Sequence, residues 1–175
     1  MKPGLLLHTC CAPCLIGTLP YLGEFEISCF WYNPNIHPFT EYSARQEALR
    51  AYAAANGIKL IVKDDYGLIE FTRNVINNLD GRCRYCYDTR IKEAAKYAGE
   101  HGFDMFSTTL LVSPYQDREK INRAGEKYGG EYKTEFFYGD FRENFKNGQQ
   151  TARNLGIYRQ KYCGCMFSER ERYIK

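Results

Sequence analysis

Short apolar runs of strand length alternate along this chain with longer segments of helical periodicity, and that alternation restricts the fold more than any other feature. Gly4 to His8 reads as a buried strand, followed after a cysteine-rich turn by a helix over Cys14 to Leu22 that Pro20 or Gly23 disturbs or ends. Glu26 to Tyr32 is a second strand. Pro and Asn in NPNIHP force an irregular loop, after which Thr40 caps a helix running to Asn56, with Ala44, Ala48, Leu49, Tyr52 and Ala53 on one face. Ile58 to Lys63 is a third strand and Tyr66 to Leu79 a third helix leading into a DGRCRYCY turn. A further helix starts at Tyr87 or Asp88 and stops at Gly102. Asp104 to Leu110 is a fourth strand, Asp117 to Tyr128 a helix, and Glu131 to Tyr138 a fifth, more polar strand. Phe141 to Leu155 is helical, and a YCGC turn precedes a short charged helix. Strands separated by helices of ten or more residues predict an α/β fold, a mostly parallel five-stranded sheet with helices on both faces. A chain of 175 residues is expected to form one domain, residues 1–175, with 142–175 as a helical extension packing over the functional site.

Ligands of such sheets bind at the carboxyl ends of strands, near the point where strand order reverses. Three segments follow strands directly: HTCCAPC (His8 to Cys14), NPNIHP and SPYQD. They converge on one crevice. The first carries three cysteines, and RCRYCY (Arg82 to Tyr87) and YCGC (Tyr162 to Cys165) each add two, so seven of eight thiols fall in three tight clusters. The eighth, Cys29, lies in an apolar run and reads as a small buried residue.

No run reaches the length of a membrane span, and Gly4 to Leu7 is too short for a signal-peptide core, so a cytoplasmic protein without membrane association is expected. Thiols there stay reduced, which favours metal ligation or redox chemistry over structural bridges. Thiolates suit zinc or iron-sulfur clusters, each normally with four protein ligands. The CxxC of Cys83 and Cys86 alone also fits a redox pair. Seven thiols exceed one four-ligand centre by three, and a structural zinc site would stop at four. The surplus favours an iron-sulfur cluster accompanied by a spare dithiol or a second metal.

Net charge is +3 but uneven: residues 1–141 hold 16 Lys/Arg against 18 Asp/Glu, and 142–175 hold 8 against 3. Arg142, Lys146, Arg153, Arg159, Lys161, Arg170 and Arg172 make this last stretch basic, interleaved with Phe141, Phe145, Tyr158, Tyr162 and Phe167. An anionic partner is implied, with nucleic acid the leading candidate. Exposed aromatics there could stack unpaired bases, although most such rings belong in cores.

HTCCAPC, WYNPNIHPFTEY (Trp31 to Tyr42), RCRYCYDTR (Arg82 to Arg90), STTLLVSPYQD (Ser107 to Asp117) and YCGC, in this order, resemble the cobalamin-independent epoxyqueuosine reductases, the QueH family. The resemblance covers nearly the whole chain. It implies a fold like the PP-loop/HUP-type nucleotide-binding domains and reduction of epoxyqueuosine, at the wobble position of certain tRNA anticodons, to queuosine. It also implies a 4Fe-4S cluster with an adjacent mononuclear iron and an unidentified electron donor. The division expected is Cys10, Cys11, Cys83 and Cys86 on the cluster and Cys163 and Cys165 on the neighbouring iron, with Cys14 serving either. The SGGxDS phosphate loop of PP-loop enzymes is absent, CCAPC standing in its place, which argues against ATP use and against the nearest enzymatic rival, an iron-sulfur tRNA thiolation enzyme. A zinc-stabilised RNA-binding module is the rival from another class.

The remaining candidates are polar. Asn33, Asn35 and His37 occupy a loop placed to meet the substrate base or simply shaped by Asn and Pro. Arg159 and Lys161 are candidate tRNA contacts. Tyr115 and Asp117, flanking Gln116, are candidate proton donors, while Asp117 also suits a helix cap. His8 is either near the metal or a satisfied structural histidine.

Overall fold

The computed structural model describes residues 2–174. Its centre is β1 (Gly4–His8), in which Leu5, Leu6 and Leu7 are all fully excluded from solvent. Successive strand side chains point to opposite faces, so three consecutive buried leucines require cover on both. β1 pairs in parallel with β2 (Glu26–Trp31) on one edge, Leu6 opposite Ser28, and with β4 (Met105–Thr108) on the other, Leu6 opposite Phe106. β3 (Lys59–Val62) and β5 (Glu135–Phe136) complete a five-stranded parallel sheet of order β3-β2-β1-β4-β5. Order therefore reverses at β1, and the loops after β1 and β4 diverge to open the crevice that such a switch creates.

Among the described residues, seven α-helices connect and cover these strands: α1 (Ala12–Thr18), α2 (Phe39–Ala55), α3 (Leu68–Val75), α4 (Arg82–Glu100), α5 (Arg118–Tyr132), α6 (Phe145–Asn154) and α7 (Met166–Tyr173). α4 packs against β1, β4 and α5, while α6 lies along α1. None of these helices is long and apolar enough to cross a membrane.

Several boundaries differ from the sequence-based expectation, each for a local reason. α1 starts two residues early because Cys11, in extended backbone, caps it: its Sγ accepts from Cys14 N at 3.3 Å, and Pro13 supplies a preset φ in the first turn. α4 begins at Arg82 and takes in CRYC, which sequence reads as a turn. Asn78 starts that run by accepting from Gly81 N at 3.0 Å and launching a 3-10 turn that continues into the helix. α3 is shorter than expected because Gly67 precedes it at φ +61°, where an added Cβ would fall 2.8 Å from the Pro34 carbonyl oxygen. β4 ends at Thr108, whose hydroxyl accepts from Leu110 N and turns the chain into a 3-10 segment. β5 shrinks to two residues because α5 runs on until Lys133 terminates it in the left-handed region.

Gly17 of α1 and Gly148 of α6 meet where those helices cross. A Cβ on Gly148 would come within 2.8 Å of Gly17 Cα and of the Pro13 carbonyl oxygen, backbone atoms that cannot turn aside. Gly148→Ala is expected to cost roughly 1–3 kcal/mol through this overpacking, read as a lower urea midpoint.

Candidate functional site

The loop after β1 places Cys10, Cys11 and Cys14 so that their three Sγ atoms lie within 4.8 Å of one another, all buried. Adjacent residues converge because Cys11 turns back to cap α1 while Cys14 sits in that helix's first turn. Cys10 is fixed from β4's side: its N–H donates to Thr109 Oγ1 at 3.2 Å, and the Thr109 hydroxyl stands 3.4 Å from its sulfur. The triad thus lies at the strand-order switch. Hydrogen bonds from Cys11 and Cys14 hold the Cys10 thiol well below its ordinary pKa, while burial pushes Cys11 up and the hydrogen bond with Cys10 pushes Cys14 up.

Cys83 and Cys86, three residues apart, lie on one face of the first turns of α4. Cys163 interacts electrostatically with both, Cys165 holds the Cys163 thiol below its usual range by hydrogen bonding, and Cys165 packs with Cys86, Phe71 and Phe167. The seven thiols therefore form a compact triad and a looser foursome. Cys14 joins Cys10 and Cys11, while Cys83 and Cys86 neighbour Cys163 and Cys165. Reduced sulfur donors grouped this way fit an iron-sulfur or zinc centre, and no disulfide joins any of them. Cys29 lies apart, buried in β2, its thiol pushed up to about 11 by burial.

Above Cys10, Cys14 and Cys163 opens a cavity of about 690 Å³ whose wall includes Thr109, Gln116, Arg159, Gln160 and Lys161. The segment 159–164 closes one side and is held from beneath. Arg45, buried in α2, binds Glu41 at 2.6 Å and donates to the carbonyls of Tyr162 and Cys163 at 3.0 and 3.2 Å. Tyr158 donates to Glu41, Tyr162 to the His37 carbonyl at 2.5 Å, and His37 N to the Gly164 carbonyl at 2.8 Å. Gln160 then reaches the triad, its amide nitrogen 2.9 Å from Cys11 Sγ and 3.4 Å from Cys14 Sγ, while its Oε1 is buried without a partner.

The polar candidates separate. Arg159 and Lys161 line the cavity, and Tyr115 stands at its rim, 83% exposed with its ring edge-on to Phe145. Asp117 is a helix cap: its carboxylate accepts from Lys120 N at 3.1 Å and pairs with Lys120 Nζ at 2.7 Å, hydrogen bonds that hold it below the usual carboxylate range. Asn33, Asn35 and His37 point inward and are buried. Asn33 donates to the Thr9 carbonyl at 3.0 Å, both amide atoms of Asn35 lack partners, and His37 lies against Tyr66 and Phe71 with neither ring nitrogen bonded. His8 is a strut, its ring nitrogens meeting Thr108 Oγ1 at 2.8 Å and the Tyr32 carbonyl at 3.2 Å. Arg142 is tied to Asp140 at 2.7 Å.

Three residues were missed by sequence reasoning: Thr109, Gln160 and Arg90. Arg90 had a signal, its position four residues after Cys86, but that spacing means proximity only once α4 is known to start at Arg82.

A family model described as epoxyqueuosine reductase QueH matches residues 5–171, a span that contains all three cysteine segments and all five strands save Gly4 of β1. The chain belongs to the QueH family. Three similar proteins bear that same description. One from Dehalococcoides mccartyi is 42% identical over 100% of this chain and 97% of its own. Another, from Thermotoga maritima, is 35% identical over 98% and 93%. A third, from Streptococcus pyogenes, is 34% identical over 96% and 71%. QueH membership thus rests on full-length similarity rather than on the cysteine motifs alone.

Burial lowers the His37 pKa to about 4. The unfolded chain then binds this proton more readily than the folded one, so the stability it contributes is complete above about pH 6.5 and drains away as pH falls toward 4. Wild-type protein should lose up to roughly 3 kcal/mol through this group across that window. Urea unfolding at several pH values checks it: His37→Phe, which keeps a ring but cannot titrate, should show a flatter profile.

Proposed function

We propose that this chain reduces epoxyqueuosine in tRNA to queuosine, a two-electron deoxygenation of an epoxide to an alkene. The observation that carries the reading is the buried triad Cys10, Cys11 and Cys14 at the floor of a cavity walled by Arg159 and Lys161. Soft donors below and cations beside suit a redox-active metal centre facing an anionic substrate. QueH membership supports the same reaction.

Epoxide plus two electrons and two protons gives alkene plus water. A 4Fe-4S cluster with an adjacent iron would, when bound, supply electrons singly and a Lewis acid for the departing oxygen. The chain's own groups do the rest. Cys10, Cys11 and Cys14 form one donor set and Cys83, Cys86, Cys163 and Cys165 a second, a grouping that favours two centres and departs from the expected division by setting Cys83 and Cys86 with Cys163 and Cys165. Gln160 donates its amide N–H to the triad sulfurs. Arg159 and Lys161 contact phosphates. Tyr115 at the rim is the candidate proton donor, Asp117 being engaged with Lys120. Electrons come from an external donor, the reaction runs without ATP, and the setting is cytoplasmic.

An anaerobic assay on tRNA carrying epoxyqueuosine, read by nucleoside mass spectrometry beside iron and sulfide analysis, tests this. Wild-type protein should convert the base without ATP, and Cys11→Ala should lose about a hundredfold or more in conversion together with iron. Dependence on ATP would support thiolation instead; stoichiometric zinc without turnover would support a binding module. Charge reversal at Arg159 and Lys161 together should weaken tRNA binding at least about tenfold and flatten its salt dependence, measured by filter binding, leaving iron content unchanged.

A further inference from the structure

Arg90 is the least explained charge in the molecule. Its side chain is 3% exposed, yet its guanidinium pairs with no carboxylate among the described residues. Arg45, the other deeply buried arginine, has Glu41 at 2.6 Å. Arg90 instead turns its charge toward sulfur: Nη2 donates to Cys86 Sγ at 3.0 Å and Nε to the Cys86 carbonyl at 3.2 Å. Cys86 is the sulfur in contact, and Cys10, Tyr87 and Cys163 lie near enough to act on the same charge. Tyr87 drops out as a counter-ion, since its hydroxyl keeps its proton to donate to Gln116 Oε1 at 2.7 Å.

A buried cation without an anion costs several kcal/mol, so a site of this kind persists only where negative charge accompanies it. Here that charge must be carried by thiolate sulfur and by whatever the thiolates hold. We propose that Arg90 is the counter-charge of the metal centre, a positioning residue whose buried guanidinium raises the centre's reduction potential by favouring each electron added to it. This rests on the proposed reading of the cysteines as that centre. Net charge and hydrogen bonds to sulfur are main levers on cluster potentials, and a low-dielectric surround strengthens both. Guanidinium suits the task because it never loses its proton beside a thiolate.

The test uses the full chain, reconstituted anaerobically with iron and sulfide, as wild type, Arg90→Lys and Arg90→Gln. Iron and sulfide content is measured first, then the midpoint potential in a dye-mediated titration followed by visible absorption and electron paramagnetic resonance. Arg90→Gln with full iron should be harder to reduce by at least about tenfold in the equilibrium constant, about 59 mV for a one-electron couple, and Arg90→Lys should recover most of that shift. Iron lost from Arg90→Gln but kept by Arg90→Lys would also support the proposal, because charge rather than shape would then hold the centre. An unchanged midpoint at full iron content would overturn it, as would equal iron loss from both variants. If wild-type protein took up zinc alone and formed no iron-sulfur chromophore, the reading of the cysteines itself would fail, and the role of Arg90 with it.

Discussion

The parallel ladders that tie β1 to β2 on one edge and to β4 on the other are the constraint on which the site depends. Parallel neighbours run the same way as β1, so their loops emerge at one end of the sheet, and the reversal of strand order at β1 keeps those loops from covering one another. Cys10 is held in the resulting gap by Thr109, which arrives from β4, and Asn33 from the β2 side grips the carbonyl of Thr9. A shift of register on the β4 edge would part Cys10 from Thr109, 99 residues away in sequence, and one on the β2 edge would part Thr9 from Asn33.

The second constraint is electrostatic. Thiols crowded within hydrogen-bonding distance cannot all ionise, and a buried cation cannot stand alone. The chain answers both at once: neighbouring thiols hold Cys10 and Cys163 below their ordinary range, and Arg90 donates to the sulfur of Cys86 while Arg45 spends its charge on Glu41 and on tethering the backbone of Tyr162 and Cys163. Two buried arginines of similar exposure thus do different work, and the difference lies in whether a carboxylate stands beside them.

Sequence revealed what local pattern controls. The strand at Gly4 to His8, the alternation that follows and the gathering of thiols at strand ends were legible because period, spacing and turn chemistry are short-range. The start of α4 was not, since a 3-10 turn opened by Asn78 overrode the cap expected near Asp88 and turned CRYC from loop into helix. The orientation of Asn33, Asn35 and His37 was hidden for a different reason: that loop folds inward because Gly67 lets the next segment close against Pro34, a contact no local pattern encodes. Which thiols neighbour which depends on three segments meeting, and Gln160 had no signal beyond lying between two cations.

The tether through Arg45 also fixes a sequence of events in the life of the molecule. All five strands are synthesised before Gln160 and Cys163 exist, so the growing chain can build its sheet and present Cys10, Cys11 and Cys14 at an open, unfinished crevice. Only when the later segment docks on α2 does the amide of Gln160 reach the triad and that side of the cavity close. Enclosure of the triad is thereby tied to a final docking step, since its three thiols are in place before the segment that covers them is made.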